Sequence, residues 1–198
     1  MKKSFFICTG ALVLLLSACK KEETPEVPPS TEKTSSVTVN AAPVGNYTFF
    51  SFADDKEVMA ADSNSTKWDF GLRALTFIVN NEASGPGEAY VKIVNQPYSE
   101  VTSANVNEWK YDTTSSKKAI SSFREWASYT NQVLSPLPGK TFLFVTATGK
   151  YVKMEMIKAD ALSSSGEVIP PGTQGAFPTK FKYTFRYFYQ KNGTPNFQ

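Results

Sequence analysis

The chain has 198 residues, 41% of them hydrophobic and 20% charged, enough for one domain with a real core. A formal charge of +3 is too small to point to nucleic acid as a partner. Histidine is absent, which removes the commonest general base and the commonest metal ligand and so excludes serine-triad chemistry and imidazole zinc sites.

The N-terminus reads as a leader. Lys2 and Lys3 precede an apolar run from Phe5 to Leu16, shorter than the roughly 20 residues a membrane-spanning helix needs, so 1–18 is expected to be a signal peptide. Leu16-Ser17-Ala18-Cys19 resembles a bacterial lipobox, which makes Cys19 the expected lipid-attachment site and new N-terminus. Acyl chains contribute about 0.8 kcal/mol per buried CH2, so several together anchor a protein firmly to a membrane. Loss of 1–18 takes Lys+Arg from 21 to 19 against 18 acidic residues, leaving a mature charge of +1. Both cysteines, Cys8 and Cys19, lie in this segment, so no disulfide is expected inside the mature domain. Residues 19–36 then read as a lipidated cysteine and a flexible spacer, with Pro25, Pro28 and Pro29 favouring extended, solvated chain. Lys21-Glu22-Glu23 looks like a surface-export signal of some Gram-negative lipoproteins, and equally like an ordinary charged linker.

The body, 37–198, reads as strands. Aromatics make up 14% of the chain, with 15 Phe and 9 Tyr, which favours β structure. Val37 to Asn40 is a short strand. Tyr47 to Ala53 carries aromatics on both faces and is expected inside a sheet. Asp54-Asp55 turns the chain into a hairpin arm at Lys56 to Ala60. Trp68 to Leu72, Leu75 to Asn80 and Ala89 to Val94 are further strands, separated by turn-rich loops.

Residues 95–140 are left open by periodicity. Gln96 to Thr102 fits one helical turn, Trp109 and Tyr111 alternate like a short strand, and Ile120, Phe123 and Ala127 sit at helical spacing. Pro136 to Gly139 is a loop. Thr141 to Thr146 and Tyr151 to Lys158 make a hairpin around Thr148-Gly149, with Val152, Met154 and Met156 on one face. Residues 163–180 form a long irregular loop, a kind that is often functional. The final strand alternates Phe181, Tyr183, Phe185, Tyr187 and Tyr189 with Lys180, Lys182, Thr184 and Arg186, the pattern of a half-buried antiparallel strand. The expected fold is all-β: a single, mostly antiparallel β domain without internal repeats. Asp54, Asp55, Asp69 and Glu82 do not read as a positioned acid–base pair, so no enzyme is expected.

Several pieces resemble, in order, the HmuY family of haem-binding lipoproteins. They are Tyr47 to Phe52 (YTFFSF), Lys67 to Leu72 (KWDFGL), Asn80 to Gly87 (NNEASGPG), Phe142 to Val145 (FLFV), Gly149 to Met154 (GKYVKM) and the closing FKYTFRY. The resemblance implies an all-β lipoprotein of the outer membrane, exposed at the cell surface, that holds one haem between two axial side chains and passes it to a receptor for iron acquisition. The family uses paired histidines or, in some branches, paired methionines. In this chain the second ligand would fall near Asn131, a poor ligand for iron, and the first between Trp109 and Lys118, where no methionine stands. The candidates for contact with haem or a porphyrin are therefore Tyr111, Tyr129, Asn131, Met154 and Met156. Each has a packing reading beside it. Met154 and Met156 stand two apart on one strand face, whereas axial ligands approach from opposite sides of a haem. Met59 reads as packing on an early hairpin. Lys180, Lys182 and Arg186 read either as partners of haem propionates or as a solvated face. The alternative function is a relative without haem ligation that binds another ligand or a receptor partner.

Overall fold

The computed structural model describes residues 30–131 and 133–198. The leader, Cys19 and most of the spacer lie outside the described residues. Strand β1 (Glu32–Asn40) begins five residues before the Val37 boundary expected above, because residues 32–36 pair with the end of the last strand. Strands β2 (Thr48–Ser51), β3 (Lys56–Val58), β4 (Phe70–Arg73) and β5 (Thr76–Val79) form one sheet in the order β3-β2-β4-β5. β2 is interior, as its two aromatic faces require. Strands β6 (Tyr90–Asn95), β9 (Lys140–Val145), β10 (Tyr151–Leu162) and β11 (Lys180–Gln190) join β1 in a second sheet of order β1-β11-β10-β9-β6. Every pairing between named strands is antiparallel.

The two sheets stack face to face through aromatic side chains. Phe50 meets Phe185 edge-on at 5.1 Å, Phe52 meets Phe144 at 5.1 Å, and Phe77 stacks on Phe142 at 5.7 Å. Such pairs add about 0.5–1.5 kcal/mol each beyond their buried area. Val152, Met154 and Met156 enter this core, which fixes both methionines as packing residues of the sandwich. The outer face of the four-stranded sheet has a small core of its own, Phe49, Trp68 and Ile78, above Gly71. A Cβ on Gly71 would lie 3.0 Å from Ile78 Cγ1 and 3.1 Å from Phe49 Cδ1, so glycine keeps that layer thin.

The open segment resolves mostly into irregular chain. Tyr98–Glu100 and Phe123–Glu125 are single 3-10 turns, and Trp109–Tyr111 contributes only one bridge, Lys110 to Val91. The helical spacing of Ile120, Phe123 and Ala127 does not give a helix. Ser122 caps the 3-10 turn together with Glu125, and the chain then enters a hairpin of β7 (Ala127–Thr130) and β8 (Val133–Pro136). β8 takes Val133 to Ser135 from the segment left open by periodicity and ends on Pro136, the first residue of the expected loop. β10 also runs to Leu162, four residues beyond expectation, past a bulge between Met156 and Lys158 that leaves Ile157 exposed.

A basic cleft at the end of the sandwich

β1 pairs its first residue, Glu32, with Phe188 and its last, Asn40, with Lys180. Nine residues of strand separate those ends, about 27 Å at roughly 3.3 Å per step. The described chain thus enters the sandwich at one end, at Glu32. At the other end the carbonyl of Asn40 accepts from the amide of Ala74, in the β4–β5 turn, at 3.1 Å. Tyr183 Oη closes the same end by donating to the carbonyl of Ala74 at 2.6 Å.

Beside that turn lies an open cleft of about 770 Å3. Its walls are the β4–β5 turn (Arg73, Leu75, Thr76), Tyr47 before β2, and the segment 115–124. Leu75, Ile120, Phe123 and the Tyr47 ring supply apolar surface. Arg73, Lys117, Lys118 and Arg124 supply four cations, and no carboxylate lines the cleft. Among the described residues none of the four forms an ion pair. Arg73 is held by neutral groups: its guanidinium lies 4.4 Å above the Tyr47 ring and donates to the carbonyl of Gly45 at 3.1 Å and to Tyr47 Oη at 3.3 Å. Lys118 Nζ donates to Ser84 Oγ at 2.9 Å. The nearby Glu125 forms no ion pair with them and accepts from the amides of Ser121 and Ser122.

The loop that carries the two lysines is fixed by a fully buried carboxylate. Asp112 accepts from the amide of Val79 in β5 at 3.0 Å and from the amide of Ala119 at 2.7 Å. Thr114 Oγ1 accepts from the amide of Lys117 at 2.9 Å. The sequence thus places a cationic dipeptide on a short loop whose ends are tied to the sheet.

None of the five cofactor candidates lines this cleft. Tyr111 packs edge-on against Tyr90 at 5.6 Å. Tyr129 is 44% exposed on β7, and Asn131, with φ of 50°, turns the hairpin that follows. Met154 is fully buried. Met156 borders a separate open groove of about 410 Å3 near Pro136 and Pro138, whose cation, Arg186, is already bound to Glu155 at 2.7 Å. Lys180 and Lys182 are exposed on β11 and do not reach the cleft. A third cavity, between β8 and the 163–179 loop, has only about 80 Å3, too small for a macrocycle. The residues that sequence reasoning missed are Arg73, Lys117, Lys118 and Arg124. The run Ser115-Ser116-Lys117-Lys118 was a visible signal. Its convergence with Arg73 is a tertiary fact.

The fold and cleft define an all-β sandwich with a cationic, partly apolar candidate site at the end opposite the first residue of β1, Glu32. Two similar solved structures are an apo HmuY analogue from Tannerella forsythia and apo PinO from Porphyromonas gingivitis. The first is 14% identical, covers 81% of this chain and 97% of its own, and has a TM-score of 0.49. The second is 13% identical, covers 82% and 100%, and has a TM-score of 0.45. No protein-family model and no curated protein matches the chain.

Proposed function

We propose that this protein is an outer-membrane lipoprotein, anchored through Cys19 and exposed at the cell surface, that binds haem or a related porphyrin for iron acquisition. The observation that carries the reading is the cleft: four cations without carboxylate partners in a mixed polar and apolar lining that includes Leu75, Ile120 and Phe123, in a volume suited to a small-molecule ligand. A porphyrin offers that pairing, with a flat apolar body and two carboxylates. The ordered sequence resemblance to haem-binding lipoproteins supports the same ligand. The cleft's place, at the end of the sandwich away from the first residue of β1, suits capture from outside the cell. Titration of the full chain with haem, followed by tryptophan quenching, tests this. Trp126 directly follows the Phe123–Glu125 turn of the cleft wall and should be quenched saturably. A linear, unsaturable response would sink the proposal.

A second reading, contact with a receptor partner, is favoured by one feature. Val168 and Phe177, on the 163–179 loop, are 57% and 76% exposed. Phe177→Ser should abolish capture of the partner without changing haem affinity, whereas unchanged capture removes this reading.

A further inference from the structure

The cleft and the family resemblance disagree about iron. The resemblance implies two axial side chains, yet the lining of the cleft contains no histidine, cysteine or methionine. Tyr47 is the one phenol there, and phenolate is the form that binds ferric haem. Burial pushes the Tyr47 phenol up from its ordinary pKa, more than the Arg73 charge pulls it down. Its oxygen is also taken by an Arg73 hydrogen bond, and its ring face by the guanidinium. The sulfurs of Met154 and Met156 belong to the sandwich core, and Met59, 72% exposed, lies outside the cleft. The donor set does not fit an axially ligated metal.

We propose that the cleft recognises a porphyrin through its carboxylates and its ring face, with no bond from the protein to the metal, so that metal-free porphyrin is a ligand equal to haem. This rests on the porphyrin-binding reading above. Carboxylates meet cations that have no competing carboxylate, and charge-assisted hydrogen bonds are the strong kind. Leu75, Ile120 and Phe123 meet the ring, and their contact is indifferent to what occupies its centre. Selectivity then follows the charged periphery of the ligand rather than its metal.

The test is a titration of the full chain with four probes: haem, zinc protoporphyrin, metal-free protoporphyrin, and protoporphyrin dimethyl ester. Tryptophan quenching is read for all four and the Soret band for haem. The first three should bind within about threefold of one another, with no Soret signature of axial ligation. The ester should bind at least roughly tenfold more weakly, since each lost charged contact changes affinity by about that factor. Arg124→Ala, exposed, and Lys118→Ala, half-buried, should weaken the first three equally. Haem binding more than about tenfold tighter than metal-free porphyrin, with an axially ligated Soret band, overturns the inference and leaves the porphyrin reading standing. Ester binding as tight as the free acid overturns recognition through charge. Binding of none of the four overturns both the inference and the reading beneath it.

Discussion

Oδ1 of Asp69 accepts a 2.9 Å hydrogen bond from the amide of Ala147, in the β9–β10 turn of the opposite sheet. Oδ2 accepts from the amide of Phe52 at 2.8 Å. One buried carboxylate therefore clips the two sheets together. Burial pushes its pKa up to about 6, against the pull of the two amides. The folded state then holds the proton more tightly than the unfolded chain. Stability from this proton is fully present below the unfolded value near 4 and is lost as pH rises through about 6. The predicted loss is about 2–3 kcal/mol between pH 4 and 7. Asp69→Asn should flatten that part of the profile, measured by urea unfolding across the range. An unchanged slope in the variant would assign the dependence elsewhere.

The strands were legible where one face is buried and the other wet. β11 alternates aromatic and basic residues, and Phe181, Tyr183, Phe185 and Tyr187 are all buried. β2, with aromatics on both faces, was legible as an interior strand because each face has its own core. The segment 95–140 was not legible, because its residues are placed by single hydrogen bonds to distant strands, such as Asp112 to Val79, and not by a repeating pattern. The cleft was missed for the same reason: Arg73 and Lys118 are 45 positions apart and meet only in the fold. The resemblance points to iron ligands, while the candidate cleft is lined by cations.

The motif NNEASGPG has a mechanical explanation that leads to a second prediction. The fully buried Asn80 donates to the carbonyls of Ser65 and Trp68 at 2.8 and 2.7 Å and accepts from the amide of Gly87 at 2.9 Å. A Cβ on Gly85 would collide with Asn80 Oδ1 and stand 2.6 Å from the Trp68 ring. Gly85→Ala should therefore destabilise the fold. Asn80→Ala should cost more, roughly 3 kcal/mol for three hydrogen bonds at about 1 each. Chemical denaturation of the two variants checks the order, and wild-type stability in Gly85→Ala would refute the steric account.

Lys153 leads to a third. It is 8% exposed on the outer face of the five-stranded sheet, where its Nζ donates to the carbonyls of Val101 and Tyr98 at 2.8 and 3.3 Å. The same ammonium sits 4.5 Å from the centre of the Tyr98 ring, and Arg186 lies 4.4 Å from that centre. The lysine thus pins the 98–101 turn onto the sheet. Lys153→Met keeps the stem and leaves the Val101 carbonyl without its donor, while the Tyr98 carbonyl keeps the Val101 amide, at a predicted cost of about 1–3 kcal/mol. Amide exchange at Tyr98 to Val101 should quicken more than in the core strands. Equal protection there would show that packing alone holds the turn.

Asp112 touches no residue's charged end in the cleft, yet it should control the ligand. Its two backbone hydrogen bonds, to Val79 and Ala119, set where the 113–119 loop leaves the sheet and therefore where Lys117 and Lys118 stand. Asp112→Ala removes both acceptors and leaves two buried amides unsatisfied, a predicted loss of about 2–4 kcal/mol of stability. Asp112→Asn retains one acceptor and should fall between. If Asp112 acts by positioning, porphyrin affinity should drop in both variants in the same order, even under conditions where circular dichroism shows them fully folded. The salt dependence of binding should also weaken, because the two lysines would no longer be held at the rim and screening would have less to remove. Folded variants that bind porphyrin with wild-type affinity and salt dependence would show that the loop finds its position without the carboxylate.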